Sequence, residues 1–141
     1  MRMAASSTVY FENAAGRLLT DSAGFLRVVW NNQPRGPKDV EALFTHMTRA
    51  LQQYGWGRIL INQVNMRRFT PQEQEWVANE WLPHAVREGG YRFGAVLVSP
   101  DVMTRLATAY ITTKIQGLPL VYHSFDEEAT AVSWLLRQVG W

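Results

Sequence analysis

The feature that most constrains this chain is residues 56–83, WGRILINQVNMRRFTPQEQEWVANEWLP. It reads as a short apolar strand, a polar loop, a capped helix start and an aromatic amphipathic helix. A strand that hands its C-terminal end to a helix N-terminus is the building step of an α/β domain, and the usual place for such a domain to present a site. Thr70-Pro71-Gln72-Glu73 is the clearest local signal. The threonine hydroxyl accepts a bond from a free N–H of the first turn, proline occupies the first helical position, and Glu73 reaches back as in a capping box.

The same grammar recurs along the chain. Phe25–Trp30 (FLRVVW), Arg58–Gln63 (RILINQ), Phe93–Val98 (FGAVLV) and Leu120–Phe125 read as strands, rich in β-branched and aromatic residues. Val9–Asn13 and Arg17–Thr20 read as a short N-terminal hairpin, behind a disordered lead over residues 1–7. Helices fill the intervals. Pro37 stands as a first-turn proline of a helix over about 38–54, whose apolar face is Val40, Leu43, Phe44, Met47, Leu51 and Tyr54. The second helix buries Val77, Ala78, Trp81, Leu82 and Ala85. Pro83 lies inside it and lacks the N–H that the ladder needs, at a cost of about 3 kcal/mol, which predicts a kink or break near Asn79–Leu82. Ser99-Pro100-Asp101 predicts a third helix with a serine cap, facing the core with Val102, Leu106, Ala109, Tyr110 and Thr113. Asp126 is expected to cap a fourth, buried through Val132, Leu135, Leu136 and Val139. Helices between strands supply the long crossovers that parallel pairing needs. The expectation is one α/β domain over 8–141, a mostly parallel sheet of four to six strands with about four helices.

Composition excludes several classes of function. The chain has no cysteine, so disulfides, thiolate catalysis and cysteine metal sites are ruled out. Its 14 basic and 12 acidic residues give a net charge of +2, and Arg67-Arg68 is the one adjacent basic pair, so nucleic-acid binding is not expected. No stretch reaches the ~20 apolar residues of a membrane span, and the first residues carry no apolar leader, which makes a cytoplasmic location the expectation. There is no Walker A motif, no G-x-G-x-x-G, no H-E-x-x-H and no G-x-S-x-G.

The order of WGRILIN, TPQEQEWVANEWLP, FGAVLVSPD and FDEEATAVSWL resembles the SpoIIAA-like (STAS-like) family of small bacterial proteins, over about residues 25–138. The resemblance implies a four- or five-stranded sheet with helices and a role in binding or regulation without enzyme activity. STAS domains proper use a phosphorylatable serine in an Asp-Ser-Ser-Gly type motif at a strand-to-helix junction. Here that junction reads NQVNMRRFTPQ, so the phosphoswitch does not carry over, and Thr70 is already engaged as a cap. The fold is also close to that of CRAL-TRIO lipid-binding domains, which keeps an apolar ligand in view.

Two sets of residues stand out as candidate sites. Asn65, Arg67, Arg68 and Thr70, beside the free N–H groups of a helix start, could hold a phosphate or carboxylate. Glu73 and Glu75 in the same turn weaken that reading, and two solvated arginines on a loop are the plainer account. Trp76 falls about 100° off the buried face of its helix and, with Glu80 and His84, suits an interface. Glu80, His84 and Glu88 at spacings of four could share a helix face and a cation, but Pro83 bends the helix between them and a solvated charge ladder is much the plainer account. No metal site and no cofactor are expected. His46 and His123 lack partners at triad spacing. The leading expectation is a non-enzymatic protein-interaction module, acting as a homodimer. The alternative is a carrier of a small molecule or lipid, with an apolar pocket between sheet and helices.

Overall fold

The structure, a computed structural model, describes residues 6–115 and 117–138. Its centre is a six-stranded sheet in which order in space equals order in sequence: β1 (Ser7–Glu12), β2 (Gly16–Asp21), β3 (Phe25–Trp30), β4 (Arg58–Asn62), β5 (Phe93–Leu97) and β6 (Val121–Phe125). β1, β2 and β3 form an antiparallel meander, and β3 to β6 run parallel. The sheet is therefore mixed: three of its five strand pairings are parallel, and the N-terminal hairpin joins it as an antiparallel two-strand wing. The proposed disordered lead is also too long: residues 1–5 lie outside the described residues, but Ser7 already pairs with Asp21.

The crossovers are α1 (Asp39–Tyr54), a helical run over 71–89, and α4 (Val102–Thr113); α5 (Glu128–Arg137) follows β6. Successive right-handed crossovers that step the same way across a sheet land on one face. Accordingly α1, the 71–89 run and α4 share a core with Leu26, Val28, Trp30 and Ile59. Among the described residues α5 alone covers the opposite face, where Ala131 and Leu135 pack on Phe25, Leu60, Ala95 and Leu97. Val139, expected in that face, lies outside the described residues.

The 71–89 run is where the proline acts. α2 (Pro71–Trp76) passes into a π-helical turn, Val77–Trp81, and then into α3 (Leu82–Gly89). The wider turn absorbs the residue that Pro83 cannot bond, so the helix continues where a break was expected. Val77, Ala78 and Trp81 of the π turn all point into the core.

Several local expectations are corrected. α1 starts at Asp39 behind a non-capping Lys38, so Pro37 lies outside the helix, and Asp39 closes the turn by accepting from the Gly36 N–H at 2.7 Å. Tyr54 leaves the α1 core face and stacks on Trp56. The cap of α4 is Asp101, accepting from the Thr104 N–H, and not Ser99. Glu127, without a side-chain cap bond, precedes α5 in place of Asp126. The largest correction is the face of α4. Thr104, Ala107 and Ile111 are buried, whereas Val102, Met103 and Leu106 are 64%, 52% and 58% exposed. The inner face meets the 71–89 run, and Val102, Met103 and Leu106 are turned outward.

Candidate functional site

The loop after β4 carries the first predicted set. Asn65, Arg67, Arg68 and Thr70 are all exposed, but the last three already have structural partners. Arg68 makes a two-pronged contact with Asp101, Nε to Oδ2 at 2.8 Å and Nη2 to Oδ1 at 2.9 Å. Arg67 donates to the Asn32 carbonyl at 3.3 Å. Thr70 and Glu73 complete the capping box, at 3.1 and 2.8 Å. Arg35, which the sequence did not single out, clamps Glu73 at 2.7 and 3.2 Å and donates to the carbonyls of Arg67 and Arg68. Burial works against the charge on Glu73, yet bonds from Arg35 and Thr70 hold its carboxyl below the ordinary range. Arg67, Arg68, Thr70 and Trp76 do line one surface cleft of about 570 Å3, from which Asn65 is absent. With Glu73 and Asp101 answering Arg35 and Arg68, the cleft offers little uncompensated charge to an anion.

Asp101 joins this loop to α4. Its carboxyl lies well below the usual range, chiefly through the Arg68 guanidinium and then the Thr104 hydroxyl. A depressed carboxylate contributes stability that is present above its unfolded pKa of ~3.9 and is lost as pH falls through the folded value. Melting curves of the wild type and Asp101→Asn should therefore differ by a constant amount near neutrality and converge below about pH 4. A gap that stays constant to pH 2 would show that the carboxylate charge is not what matters.

Trp76, Glu80 and His84 come together as well, along a groove of about 530 Å3 between α1 and the 71–89 run, opposite Thr45, Arg49 and Gln52. Trp76 is half-buried, with its ring 6.0 Å from Phe44, so it seals the core as well as lining the groove. Among the described residues no cluster of metal-ligating side chains forms, Glu80, His84 and Glu88 included. His46 bonds the Ala42 carbonyl at 2.8 Å through Nδ1 and stacks on Phe11. His123 packs beside Phe125 and Trp134 on the α5 face.

Two surfaces escaped the sequence reading. One is the outward face of α4, where Val102, Met103 and Leu106 follow one another at helical spacing. The other is a cleft of about 550 Å3 between α4 and β6, with Gln63, Arg105, Thr108, Ser124 and Asp126 among its walls. Tyr122 also lines it, accepting from the Tyr91 hydroxyl at 3.1 Å, and burial pushes its phenol up to about 12. It is a neutral hydroxyl there and not an acid–base group. Farther in, between sheet and helices, the apolar space amounts to about 40 Å3, room for a few waters and not for a lipid chain.

No family model, no curated protein and no solved structure matches this chain. Among the described residues no helix is long and apolar enough to cross a membrane.

Proposed function

We propose that this protein is a non-enzymatic, STAS-like interaction module that works through protein–protein contacts, with a second copy of itself as the first partner to test. The observation that carries the reading is the outward face of α4. Val102, Met103 and Leu106 are each more than half exposed on one helix, while Thr104, Ala107 and Ile111 of its inner face are buried. Contiguous exposed apolar side chains mark contact surfaces far more often than single scattered ones. The resemblance to SpoIIAA-like proteins, which implies a four- or five-stranded sheet with helices, supports a role in binding or regulation. A cytoplasmic location belongs to the same proposal.

The test is light scattering coupled to size exclusion over a wide concentration range. The expected result is a dimer that Leu106→Glu or Met103→Glu converts to monomer. Because both side chains point to solvent, neither change should move the melting temperature by more than about 2 °C, the range of surface substitutions. A wild type that stays monomeric throughout and retains no partner in pull-downs removes the support for this function. The carrier alternative draws nothing from the small interior space; what remains for a ligand is the open cleft beside β6.

A further inference from the structure

We infer that the cleft between α4 and β6 binds a free amino acid, a small zwitterion whose carboxylate meets Arg105 and whose protonated amine meets Asp126. The topology places a crevice there. β5 is followed by α4 on one face of the sheet and β6 by α5 on the other, so the chain diverges above the C-terminal ends of two adjacent parallel strands. Such a divergence is where open α/β sheets hold their ligands. The cleft occupies that position: Val96, Val98, Ser124 and Asp126 come from the ends of β5 and β6, and Arg105 and Thr108 from α4.

Its two charged groups, Arg105 and Asp126, are both exposed and do not pair with each other. Arg105 donates through Nε to the Ser99 carbonyl at 2.5 Å, which fixes the plane of its guanidinium. Its two terminal nitrogens have no partner among the described residues, and no carboxylate lies within ion-pair distance. This contrasts with Arg27, Arg35 and Arg68, each paired with an acid. A fixed guanidinium with a free two-nitrogen edge is shaped for a carboxylate. Asp126 has no hydrogen bond or ion pair among the described residues, and supplies the opposite charge in the same cleft.

The second observation is Gln63. It is only 5% exposed, and its amide meets one side chain, the Thr108 hydroxyl. The Thr108 hydroxyl, 3.0 Å from the amide, also lies 3.1 Å from the Thr104 carbonyl and meets one half of the amide only. Gln63 lines the cleft, and the half of its amide that Thr108 does not meet is solvent-accessible. That half is free to bond a polar group bound in the cleft. Val96, Ala109 and Ile115 give a small side chain an apolar bed. The volume suits a ligand of this size, since small-molecule sites run from roughly 300 Å3 upward and part of this cleft is open.

The experiment is calorimetric titration of the purified protein with the common amino acids in the millimolar range, together with N-acetyl and carboxamide derivatives of any that bind. The expected result is binding of one or more small neutral amino acids, lost on capping either end. Arg105→Ala and Asp126→Asn should each weaken it by about tenfold or more while leaving the melting temperature in place. Absence of binding by every free amino acid overturns the inference. So does binding that survives capping of both ends, or that is the same in the two variants. The oligomeric state bears on none of these outcomes, so this inference and the proposed interaction module stand or fall separately.

Discussion

Trp81→Ala is expected to lower the melting temperature by about 10–15 °C, from the roughly 3–5 kcal/mol that removal of a buried tryptophan costs and about 3 °C per kcal/mol for a chain of this length. Trp81 sits at the end of the π turn, and its ring centroid is 4.5 Å from Phe44 and 5.9 Å from Tyr91. Its indole N–H is shared between the Phe44 carbonyl at 2.9 Å and the Thr48 hydroxyl at 3.0 Å. One side chain thus ties α1 to the helix that packs beside it. Trp81→Phe separates the two contributions. It keeps a ring in the core and loses the N–H, so it should cost about 1–2 kcal/mol. Urea denaturation read by far-UV circular dichroism gives both values. A loss below about 1 kcal/mol for the alanine variant would mean that the site collapses around the void.

Gly94→Val is expected to be the most damaging single change in the sheet. A Cβ at Gly94 would lie 2.5 Å from the Tyr91 hydroxyl and 2.7 Å from Cδ1 of Tyr122, with the Tyr122 Cε1 nearer still. Tyr91 is fully buried and bonded to Tyr122, so neither ring has a low-cost way to retreat. Overpacking of this kind costs about 1–3 kcal/mol when one methylene is in excess, and valine at this position adds three carbons against a central strand. The expected outcome is a protein that is insoluble or melts at least about 10 °C lower. Gly94→Ala should be milder, and combining it with Tyr122→Leu should recover part of the loss. If the double variant is simply the sum of the two singles, the clash with Tyr122 is not the cause.

What the sequence made legible follows physical range. β3, β4 and β5 could be read because each is a short apolar run whose meaning does not depend on distant neighbours. The capping box at Thr70 could be read because all of its atoms lie within four residues. The face of α4 could not. Hydrophobic spacing favoured Val102 and Leu106, but the helix turns Thr104 and Ala107 inward against the 71–89 run, and periodicity, which weighs apolarity alone, cannot see small buried residues. Pro83 showed that the helix would be disturbed, but whether by a break or a π turn was decided by the core positions of Val77, Ala78 and Trp81. The arginines of the loop were visible as charges, while the acids that neutralise them, Asp101 for Arg68 and Glu73 for Arg35, are brought in by the fold. Gln63, Arg105 and Asp126 are far apart in the chain. The one signal available for them was position, since each lies at or just past the end of a predicted strand or start of a helix.

The strand order carries a consequence for how the chain is made. Each strand from β2 to β6 is added to an edge that its predecessor has already formed, and none has to insert between two others. A nascent chain can therefore build the sheet in step with its emergence from the ribosome, as N-terminal parts of proteins do. The exception is the layer supplied by α5. Leu60, Ala95 and Leu97 form one side of the sheet as soon as β5 is in place, yet they remain uncovered until residues 128–137 emerge. Synthesis thus passes through a state in which the sheet shows a bare apolar face, and α5 is the element that covers it.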